Sequence, residues 1–460
     1  MSKHHLLTTL CSVAACKGSR QFLRIMKRGG TALPGKAAML FDKRILETVS
    51  EGMEIIVVTG TNGKTTTSRM IEHGITSAGF SCLANKSGAN LLSGVTAEVT
   101  SNADAAGRPR TKYAVIECDE GALKQVVPLL HPKVIVVTNL FRDQLDRYGE
   151  VMHTLESIRR GVEQVPESIL CLNADCSLTS SLALNIPNKV VYYGINGPVG
   201  EQKEQELSDA RRCIRCGAEY QYYSHTYAHL GDFYCPECGY HRQKPQVAVT
   251  KILSLTAAQT KVELELCGSS REVSIRLPAV YNVYNAAAAL TALTQFGISA
   301  EQACASLADV RSSFGRMENF ELDGIPVQMI LVKNPAGCNQ TIEYITSLQE
   351  DYRLVICLND KTADGHDISW IWDADYEKIA ADEHAVRIYA AGDRAEDLAL
   401  RLKYAGTDEK RIEIQKDYEK LLEGLKDSKL PVFAMPNYTS MLTLRGILAQ
   451  VTGKKDFWEG

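Results

Sequence analysis

The hydrophobic positions of the chain alternate between short β-branched runs and longer stretches with helical spacing. The run Glu54–Thr59 stops at Gly60, and residues 65–78 then carry apolar side chains at helical intervals. A strand, a glycine turn and a helix in this order begin a parallel α/β sheet. Four more apolar runs predict buried parallel strands: Tyr113–Ile116, Val134–Val137, Ser168–Leu172 and Lys189–Tyr193.

The pattern changes character twice farther along the chain. Residues 201–246 are polar and rich in tyrosine, which indicates an insertion, and Val247–Leu277 then alternates apolar and polar residues as antiparallel strands do. The alanine-rich stretch Tyr284–Phe296 predicts a helix, and after Arg316 a second α/β pattern begins. We therefore predict an α/β protein with these parts: an N-terminal helical segment at 1–48, a central domain at 49–312 with the insertion at 205–246, and a C-terminal Rossmann-like α/β domain at 313–460.

Composition and charge exclude several classes of protein. The 460 residues are 45% hydrophobic and 23% charged, which is ordinary for a globular protein. The formal net charge of −4 argues against a dedicated nucleic-acid binder. No apolar run reaches the roughly 18 residues that a transmembrane helix needs. Most of the fourteen cysteines are scattered, often in apolar stretches, which indicates a reducing compartment, and we predict a cytoplasmic location.

The N-terminus has an apolar stretch at residues 6–15, followed by a group of cations: Lys17, Arg20, Arg24, Lys27 and Arg28. A secretory signal has the opposite order, with its charges before the apolar stretch. The segment therefore predicts a basic amphipathic helix. Two interpretations stay open: a helix packed on the body of the protein, or a surface that rests near anionic lipid or a phosphorylated substrate.

The glycine turn after the first strand has the pattern of a phosphate-binding loop, G-x-x-G-K-T. Its glycines let backbone N–H groups approach phosphate oxygens at the N-terminus of a helix. The Lys64 ammonium neutralises the β- and γ-phosphates, and the Thr65 hydroxyl is suited to ligate Mg²⁺. The loop predicts ATP and Mg²⁺ as cofactors, held by Gly60, Thr61, Asn62, Gly63, Lys64, Thr65 and Thr66.

Four cysteines stand in two closely spaced pairs, each followed by a glycine: Cys213, Cys216, Cys235 and Cys238. Thiolates at this spacing close a tetrahedral shell around Zn²⁺, and four protein ligands leave no open position for catalysis. We therefore predict a structural zinc ribbon within the insertion. Paired disulfides are the alternative, and a reducing compartment disfavours them.

The phosphate loop resembles the ATP loop of the Mur ligase and folylpolyglutamate synthetase superfamily. Further segments match the family in order, among them Thr138–Arg147 and Asn173–Asp175. The resemblance implies a Mur ligase-like central ATPase domain. It also assigns a Mg²⁺-binding role to Glu117 at a strand end, adenine contacts to Asn282 and Asn285, and a nucleotide contact to Arg316 at the domain boundary.

The chain also departs from typical Mur ligases. Gln144 stands where most of them have a metal-binding histidine. The segment Leu331–Gly337 lacks the aspartate and histidine of their C-terminal D-Y-A-H motif, which puts a free amino-acid substrate in doubt. The phosphate loop starts at residue 60, so we expect their N-terminal UDP-binding domain to be missing.

A Mur-type core with an inserted four-cysteine ribbon resembles the MurT family, which supplies the synthetase subunits of lipid II isoglutaminyl synthase. Segments Leu33–Lys36, Asn359–Asp373 and Pro436–Thr439 also resemble that family. The resemblance implies a heterodimer with a GatD-like glutaminase. Ammonia from that partner would amidate, through an acyl phosphate, the α-carboxylate of D-glutamate in lipid II at the membrane surface, giving D-isoglutamine.

In that family the synthetase lends an aspartate to the catalytic triad of the glutaminase. Position in the A-D-G-x-D segment assigns this role to Asp367, with Asp364 as the next choice. Such an aspartate would fix the tautomer of the partner's histidine and stabilise its imidazolium. From the residues alone, a polar loop with a helix cap at Asp367 is the simpler interpretation. Lys64 and Glu117 complete the predicted catalytic set.

Two other functions are alternatives to this one. A stand-alone Mur or folylpolyglutamate synthetase-type ligase would add an amino acid to a carboxylate without glutamine or a partner. A zinc-ribbon nucleic-acid adaptor with a vestigial nucleotide site would bind DNA or RNA in a salt-dependent way, which the charge balance does not favour.

Overall fold

The structure, a computed structural model, describes residues 3–26, 32–85, 89–142, 151–197, 209–256, 258–310 and 315–453. The chain begins with three helices: α1 (Lys3–Ile25), α2 (Ala32–Phe41) and α3 (Ile45–Ser50). The predicted basic helix is α1, as far as the described residues extend. Among these residues no helix is both long and apolar enough to cross a membrane.

The next part of the chain builds a nine-stranded sheet in the order β11-β10-β9-β6-β5-β4-β1-β3-β2. Its strands, with those of the inserted hairpin, are β1 (Glu54–Thr59), β2 (Cys82–Ala84), β3 (Tyr113–Glu117), β4 (Val134–Val137), β5 (Ile169–Asn173), β6 (Val190–Ile195), β7 (Gln221–Tyr227), β8 (Leu230–Tyr234), β9 (Val247–Leu255), β10 (Thr260–Leu266) and β11 (Ser269–Ile275). Its helices are α4 (Lys64–Ser77), α5 (Leu92–Asn102), α6 (Leu123–Leu130), α7 (Val151–Val162), α8 (Ser177–Ser181), α9 (Val280–Phe296) and α10 (Ala300–Ser306).

Strands β1 to β6 of this sheet are parallel, and the apolar side chains of the inner strands β1, β3, β4 and β5 are largely buried on both faces, as continuous β-branched runs predict. Strands β9 to β11 form the antiparallel edge. Strand β1 lies between β3 and β4: the next two strands of the chain, β2 and β3, lie on one side of it, and β4 to β6 lie on the other. The carboxyl end of a strand at such a switch point is where open α/β sheets bind ligands.

The inserted segment between β6 and β9 contains the antiparallel hairpin β7–β8. A small core of its own packs beneath the hairpin, made of the rings of Tyr220, Phe233 and Tyr240 with Cys213 and Cys235. A backbone bridge from Leu230 to Cys176 attaches the hairpin to the nine-stranded sheet.

The C-terminal part is a six-stranded sheet in the order β12-β13-β17-β14-β15-β16, parallel except for the edge strand β12. Its elements are β12 (Arg316–Leu322), β13 (Ile325–Ile330), α11 (Pro335–Ser347), β14 (Tyr352–Cys357), α12 (Tyr376–Ala381), β15 (Ala385–Ala391), α13 (Ala395–Tyr404), β16 (Ile412–Ile414), α14 (Tyr418–Gly424), β17 (Val432–Pro436) and α15 (Tyr438–Thr452). Short 3₁₀ turns occupy Ser369–Trp372, Glu409–Arg411 and Leu425–Asp427.

The predicted fold class is confirmed: two α/β sheets follow each other along the chain, and the cysteine pairs lie in an insertion of the first. One detail differs from the sequence-based expectation. The alanine-rich helix was expected from Tyr284 but begins at Val280, because a residue with positive φ, Ala279, turns the chain into α9. Both Asn282 and Asn285 therefore lie on the helix.

Candidate nucleotide site and metal centre

The phosphate loop leaves β1 and enters α4 through two glycines in left-handed backbone conformations. The φ angles are 119° at Gly60 and 85° at Gly63. A Cβ atom at Gly60 would lie 2.3 Å from Thr138 Oγ1, and one at Gly63 would lie 2.1 Å from Asn285 Oδ1. Only glycine fits both the backbone conformation and the space.

The end of the neighbouring strand β4 fixes the shape of the loop. The Thr138 hydroxyl donates to the carbonyl of Asn62 at 2.7 Å, and the Asn62 N–H donates to Asn139 Oδ1 at 2.9 Å. The N–H of Phe141 donates to Thr61 Oγ1 at 3.0 Å. Within the described residues, the T-N segment that resembles the Mur ligases therefore holds the loop in place by hydrogen bonds. The rest of that segment, including Gln144, lies outside the described residues.

Lys64 is buried at the start of α4 and is held by an acidic side chain that the sequence did not single out. Its Nζ donates to the carbonyl of Gly60 at 2.6 Å and to Glu120 Oε1 at 2.9 Å. Burial lowers the pKa of Lys64, but the charges of Glu120, Glu117 and Asp119 outweigh it and raise that pKa overall. The ammonium therefore stays charged. Burial raises the pKa of Glu120, and Lys64 opposes that rise.

Glu117 is the last residue of β3, adjacent to the loop strand β1. The Asn85 side chain brackets its backbone, accepting from the Glu117 N–H and donating to its carbonyl, each at 2.7 Å. Asn90 Nδ2 donates to Glu117 Oε1 at 3.4 Å. Thr65 lies in the first turn of α4. A carboxylate and a hydroxyl are the oxygen ligands that Mg²⁺ prefers, so these residues fit the predicted metal.

Asn282 and Asn285 project from the first turns of α9 and are both buried. Asn285 Nδ2 donates to Asn282 Oδ1 at 3.0 Å, and the Thr67 hydroxyl donates to Asn285 Oδ1 at 3.3 Å. Asn282 Nδ2 in turn donates to the carbonyl of Pro278 at 2.6 Å. The two amides are therefore oriented by a hydrogen-bonded chain that ends on the phosphate-loop helix.

A pocket lies between the two sheets. From the C-terminal sheet, Leu331 and Gly337 line it. Next to it, the amide groups of Asn62 and Asn334 pair across the sheets at 3.1 and 3.4 Å. The pocket brings together six of the predicted nucleotide-binding residues: Asn62, Gly63, Thr66, Asn282, Asn285 and Arg316.

Arg316 stands at the junction of the two sheets, where the backbone has positive φ at Gly315 (66°) and Met317 (56°). Glu318, which follows Met317, accepts from the Gly315 N–H at 2.9 Å. Arg445 of α15 grips the same carboxylate with two hydrogen bonds of 3.0 and 3.1 Å, and both side chains are buried. This ion pair, which the sequence did not reveal, holds the junction that presents Arg316.

The four cysteines of the insertion converge on one point. All four Sγ atoms lie within 4.8 Å of one another, with 3.5 Å between Cys213 and Cys238 and 3.4 Å between Cys216 and Cys235. A disulfide needs about 2.05 Å, and all four thiols are free. A tetrahedral metal with bonds of about 2.3 Å places its sulfur ligands at comparable mutual distances.

The backbone around each cysteine pair follows the same turn. The N–H of Cys213 donates to Ala218 O and the N–H of Gly217 donates back to Cys213 O; Cys235 and Tyr240, with Gly239, repeat the pattern. Both glycines have φ near +75°, at 77° and 71°. The two facing knuckles offer four sulfur ligands to one metal ion, which is the number and kind of donors that structural zinc sites use.

The inserted segment is connected to helix α9 through Asp175, a buried aspartate of the N-A-D turn. Asp175 accepts from Arg242 Nε and from the Tyr284 hydroxyl, each at 2.6 Å, and from the Ile195 N–H at 2.9 Å. Burial raises the pKa of Asp175, whereas the Arg242 charge lowers it. Tyr284 lies on α9 between Asn282 and Asn285, so the inserted segment and α9 are both hydrogen-bonded to Asp175.

The two candidate triad aspartates differ in their surroundings. Asp364 is half-buried and its carboxylate accepts from both the N–H and the hydroxyl of Thr439. Burial raises the pKa of Asp364. Asp367 is exposed and accepts from the Ser369 N–H at 2.8 Å; the hydrogen bonds of Ser369 lower its pKa. Asp364 fastens the loop to α15, and Asp367 presents an ionised carboxylate to solvent.

Comparison with known proteins defines the class of the molecule. Residues 58–233 match the Mur ligase middle domain. A pseudomurein peptide ligase type C from Methanothermus fervidus superposes with a TM-score of 0.64 over 87% of this chain and 79% of that chain, at 20% identity. A folylpolyglutamate synthase from Mycobacterium tuberculosis gives 0.61 over 90% and 96%, at 13% identity. The protein has the fold of the Mur ligases and is an ATP-dependent ligase.

Closer relatives define the family within that class. Residues 331–441 match the MurT ligase C-terminal domain. The lipid II isoglutaminyl synthase subunit MurT of Streptococcus pneumoniae is 34% identical over 96% of this chain and 97% of its own length. The MurT subunit of Staphylococcus aureus is 33% identical over 94% and 95%. The chain belongs to the MurT family.

Proposed function

We propose that this chain is the synthetase half of a two-subunit amidotransferase. Its reaction converts the α-carboxylate of D-glutamate in the stem peptide of lipid II to the amide of D-isoglutamine. The observation that carries the proposal is the pocket between the two sheets, which gathers Asn282, Asn285 and Arg316 beside the phosphate loop. The names of the MurT relatives, each a subunit of a glutamine-hydrolysing synthase, support the substrate.

ATP supplies the phosphoryl group in this proposal. Asn282, Asn285 and Arg316 hold the nucleotide, and Lys64 stabilises the charge of the transferring γ-phosphoryl group. Thr65 and Glu117 would hold Mg²⁺, which would neutralise charge on the phosphates. The carboxylate oxygen of the substrate bonds to the γ-phosphorus as the bond to ADP breaks. The product is an acyl phosphate with a good leaving group.

Ammonia is the nucleophile that completes the reaction. Its nitrogen attacks the acyl carbon, inorganic phosphate leaves, and a proton is lost to give the amide. The segment before α11 supports a small nucleophile: Asn334 caps that helix at the Gly337 N–H at 2.8 Å and pairs with Asn62. Asn334 and Gly337 stand where typical Mur ligases have the D-Y-A-H motif. The absence of that motif is compatible with ammonia, because ammonia has no carboxylate for the protein to bind.

A glutaminase partner is the proposed source of the ammonia. Asp367 is exposed and ionised, as a carboxylate lent to the histidine of another subunit must be. Asp364 instead accepts a hydrogen bond from Thr439, which attaches its loop to α15. We propose that this partner is GatD-like and that it docks on the C-terminal domain at 313–460. Residues 49–312 form the ATP-binding domain, which follows the N-terminal segment 1–48.

Zinc has a structural role in the proposal. Cys213, Cys216, Cys235 and Cys238 hold it, and the ribbon in turn anchors Asp175 and α9 through Arg242. All fourteen thiols of the chain are free, which fits a protein that works in the cytoplasm, where ATP is available.

Isotope transfer tests the proposal. The chain and a glutaminase partner are given ATP, lipid II labelled with ¹⁸O in the glutamate α-carboxylate, and glutamine labelled with ¹⁵N in its amide. We expect one ¹⁸O in the released phosphate and ¹⁵N in the new amide, both read by mass spectrometry. Phosphate without ¹⁸O would contradict the acyl phosphate. A product heavier by a whole amino acid would show the stand-alone ligase activity instead.

A further inference from the structure

The N-terminal helices expose large apolar side chains to an unusual degree. Nine of the twenty large hydrophobic residues that are exposed in the described part of the chain fall within residues 6–41. Leu7 is 62% exposed, Ile25 71% and Leu40 84%. Single exposed apolar residues are ordinary, but a concentration of this kind marks a surface that binds something.

These side chains share one face of α1. Leu7, Leu10, Phe22 and Ile25 recur at helical spacing, and all four are exposed. The opposite face is fixed to the protein, because Val13 and Cys16 are buried and an ion pair joins Arg20 to Glu98 on α5 at 3.3 Å. Helix α1 is therefore apolar on the side turned away from the body, which is the reverse of an ordinary surface helix.

Helix α2 extends the same kind of surface. It packs against α1 and α5, where Pro34, Gly35 and Ala38 are buried. A Cβ atom at Gly35 would lie 1.7 Å from the carbonyl oxygen of Ser93, so α2 and α5 are in close backbone contact. The exposed residues of α2 are Ala32, Leu33, Lys36, Leu40 and Phe41. We call Leu7, Leu10, Phe22, Ile25 and Leu40 the N-terminal apolar face.

The charge of this segment is opposite to that of the remaining chain. Residues 1–46 contain nine Lys and Arg and one acidic residue, Asp42. The remaining residues contain 42 Lys and Arg against 54 Asp and Glu. Cations beside an apolar helix face, with an acidic body behind it, favour a flat anionic layer over an acidic or neutral protein surface.

We propose that the N-terminal apolar face docks the enzyme on an anionic lipid bilayer. The apolar side chains enter the boundary between headgroups and acyl chains, and exposed cations of the two helices, such as Arg24 and Lys36, lie among the anionic headgroups. A helix of 23 residues is about 35 Å long and lies in the plane of the bilayer rather than across it. The inference deepens the proposed function, because a lipid substrate is presented at such a surface.

Vesicle co-sedimentation of the full-length chain tests the proposal without ATP, glutamine or lipid II. The vesicles contain phosphatidylglycerol with phosphatidylcholine, or phosphatidylcholine alone. We expect the anionic vesicles to bind the chain at least about tenfold more tightly, and added salt to weaken that binding. The variant Leu7→Glu/Leu40→Glu should lose about tenfold or more in affinity. Leu400→Glu, on the exposed side of α13, is the matched control and should bind as the parent chain does.

Several results would overturn the proposal. They are a parent chain that ignores anionic vesicles, a double variant that binds them normally, or a control variant that loses binding equally. A double variant that instead loses its glutaminase partner would make this face a protein interface. Amidation of detergent-dispersed lipid II distinguishes this proposal from the proposed function. The double variant should amidate dispersed lipid II as the parent chain does, even where it no longer binds vesicles. A parent chain that fails to amidate dispersed lipid II would contradict the proposed function alone.

Discussion

The nucleotide pocket and the Asp364–Asp367 loop differ in how complete they are within this chain. At the candidate nucleotide site, Lys64, Asn282 and Asn285 are buried, and each has hydrogen-bond partners within the chain. In the loop, the candidate residue Asp367 is exposed, and its carboxylate is held by its close neighbour Ser369. Chemistry that one chain performs is enclosed by that chain, whereas a residue lent to a partner has to lie on the surface.

The difference separates two half-reactions that variants can uncouple. Residues of the pocket should affect use of ATP, and Asp367 should affect hydrolysis of glutamine by the complex. If one variant abolished both activities by more than a few fold without unfolding, the separation between the two regions would be wrong.

The largest expected effect belongs to Asp367→Asn. The amide cannot stabilise an imidazolium, and we expect glutamine hydrolysis by the complex to fall by about 10⁴-fold. ATP binding, measured by calorimetry on the same preparation, should be unchanged. Asp364→Asn is the matched control, since that residue bonds Thr439 rather than facing solvent; it should retain most of the hydrolysis. Equal losses in the two variants would contradict the assignment of Asp367.

Lys64→Ala should give the opposite pattern. Loss of the ammonium removes stabilisation of the γ-phosphoryl group, and we expect ATP-dependent amidation to fall by about 10³-fold or more. Glutamine hydrolysis by the complex should persist. Because Lys64 also neutralises the buried Glu120, the double variant Lys64→Ala/Glu120→Gln shows whether the loss reflects chemistry or stability. It should fold as the parent chain does and remain inactive in amidation.

Arg445→Met tests the junction that presents Arg316. The substitution leaves the buried Glu318 carboxylate without its cation, which should cost about 3–5 kcal/mol in the free energy of unfolding. Arg387→Met breaks the exposed pair with Glu413 and should cost below about 1 kcal/mol. Denaturant titrations measure both changes. Replacing Glu318 with Gln as well should recover part of the loss, and no recovery would argue against the ion pair as the cause.

Cys235→Ser should have the smallest effect on catalysis and a clear effect on the metal content of the protein. With one thiolate gone, zinc measured by mass spectrometry should fall from one atom per chain to nearly none. The unfolding temperature should drop by about 3 °C or more. Cys267→Ser, at an exposed cysteine outside the cluster, should change neither quantity. A parent chain that contains no zinc when purified without chelator would contradict the ribbon assignment.

The features that the sequence predicted are those whose signal is local. The glycine spacing of the phosphate loop and the two C-x-x-C-G turns each lie within a few residues, so their geometry follows from the segment itself. The runs of β-branched residues predicted the parallel strands for the same reason. Asn282 and Asn285 were assigned by resemblance, and the earlier start of α9 places both on one helix.

The contacts that the sequence did not reveal join residues far apart along the chain. Lys64 and Glu120 are separated by 56 positions, Glu318 and Arg445 by 127, and Asn62 and Asn334 by 272. No periodicity in one segment records such a pairing, because it arises when the two sheets pack. Glu120 carried a partial signal, since it ends the acidic group Glu117, Asp119 and Glu120 that follows an apolar run.

The central claim is that this chain is complete for the ATP-driven half-reaction and incomplete for glutamine hydrolysis. The direct measurement supplies the purified chain with ATP, Mg²⁺ and lipid II, and compares ammonium chloride with glutamine as the nitrogen source. We predict that ammonium supports formation of the amide, and that glutamine does so only after the glutaminase partner is added. Amidation from glutamine by the chain alone, or no amidation at saturating ammonium, would contradict the claim.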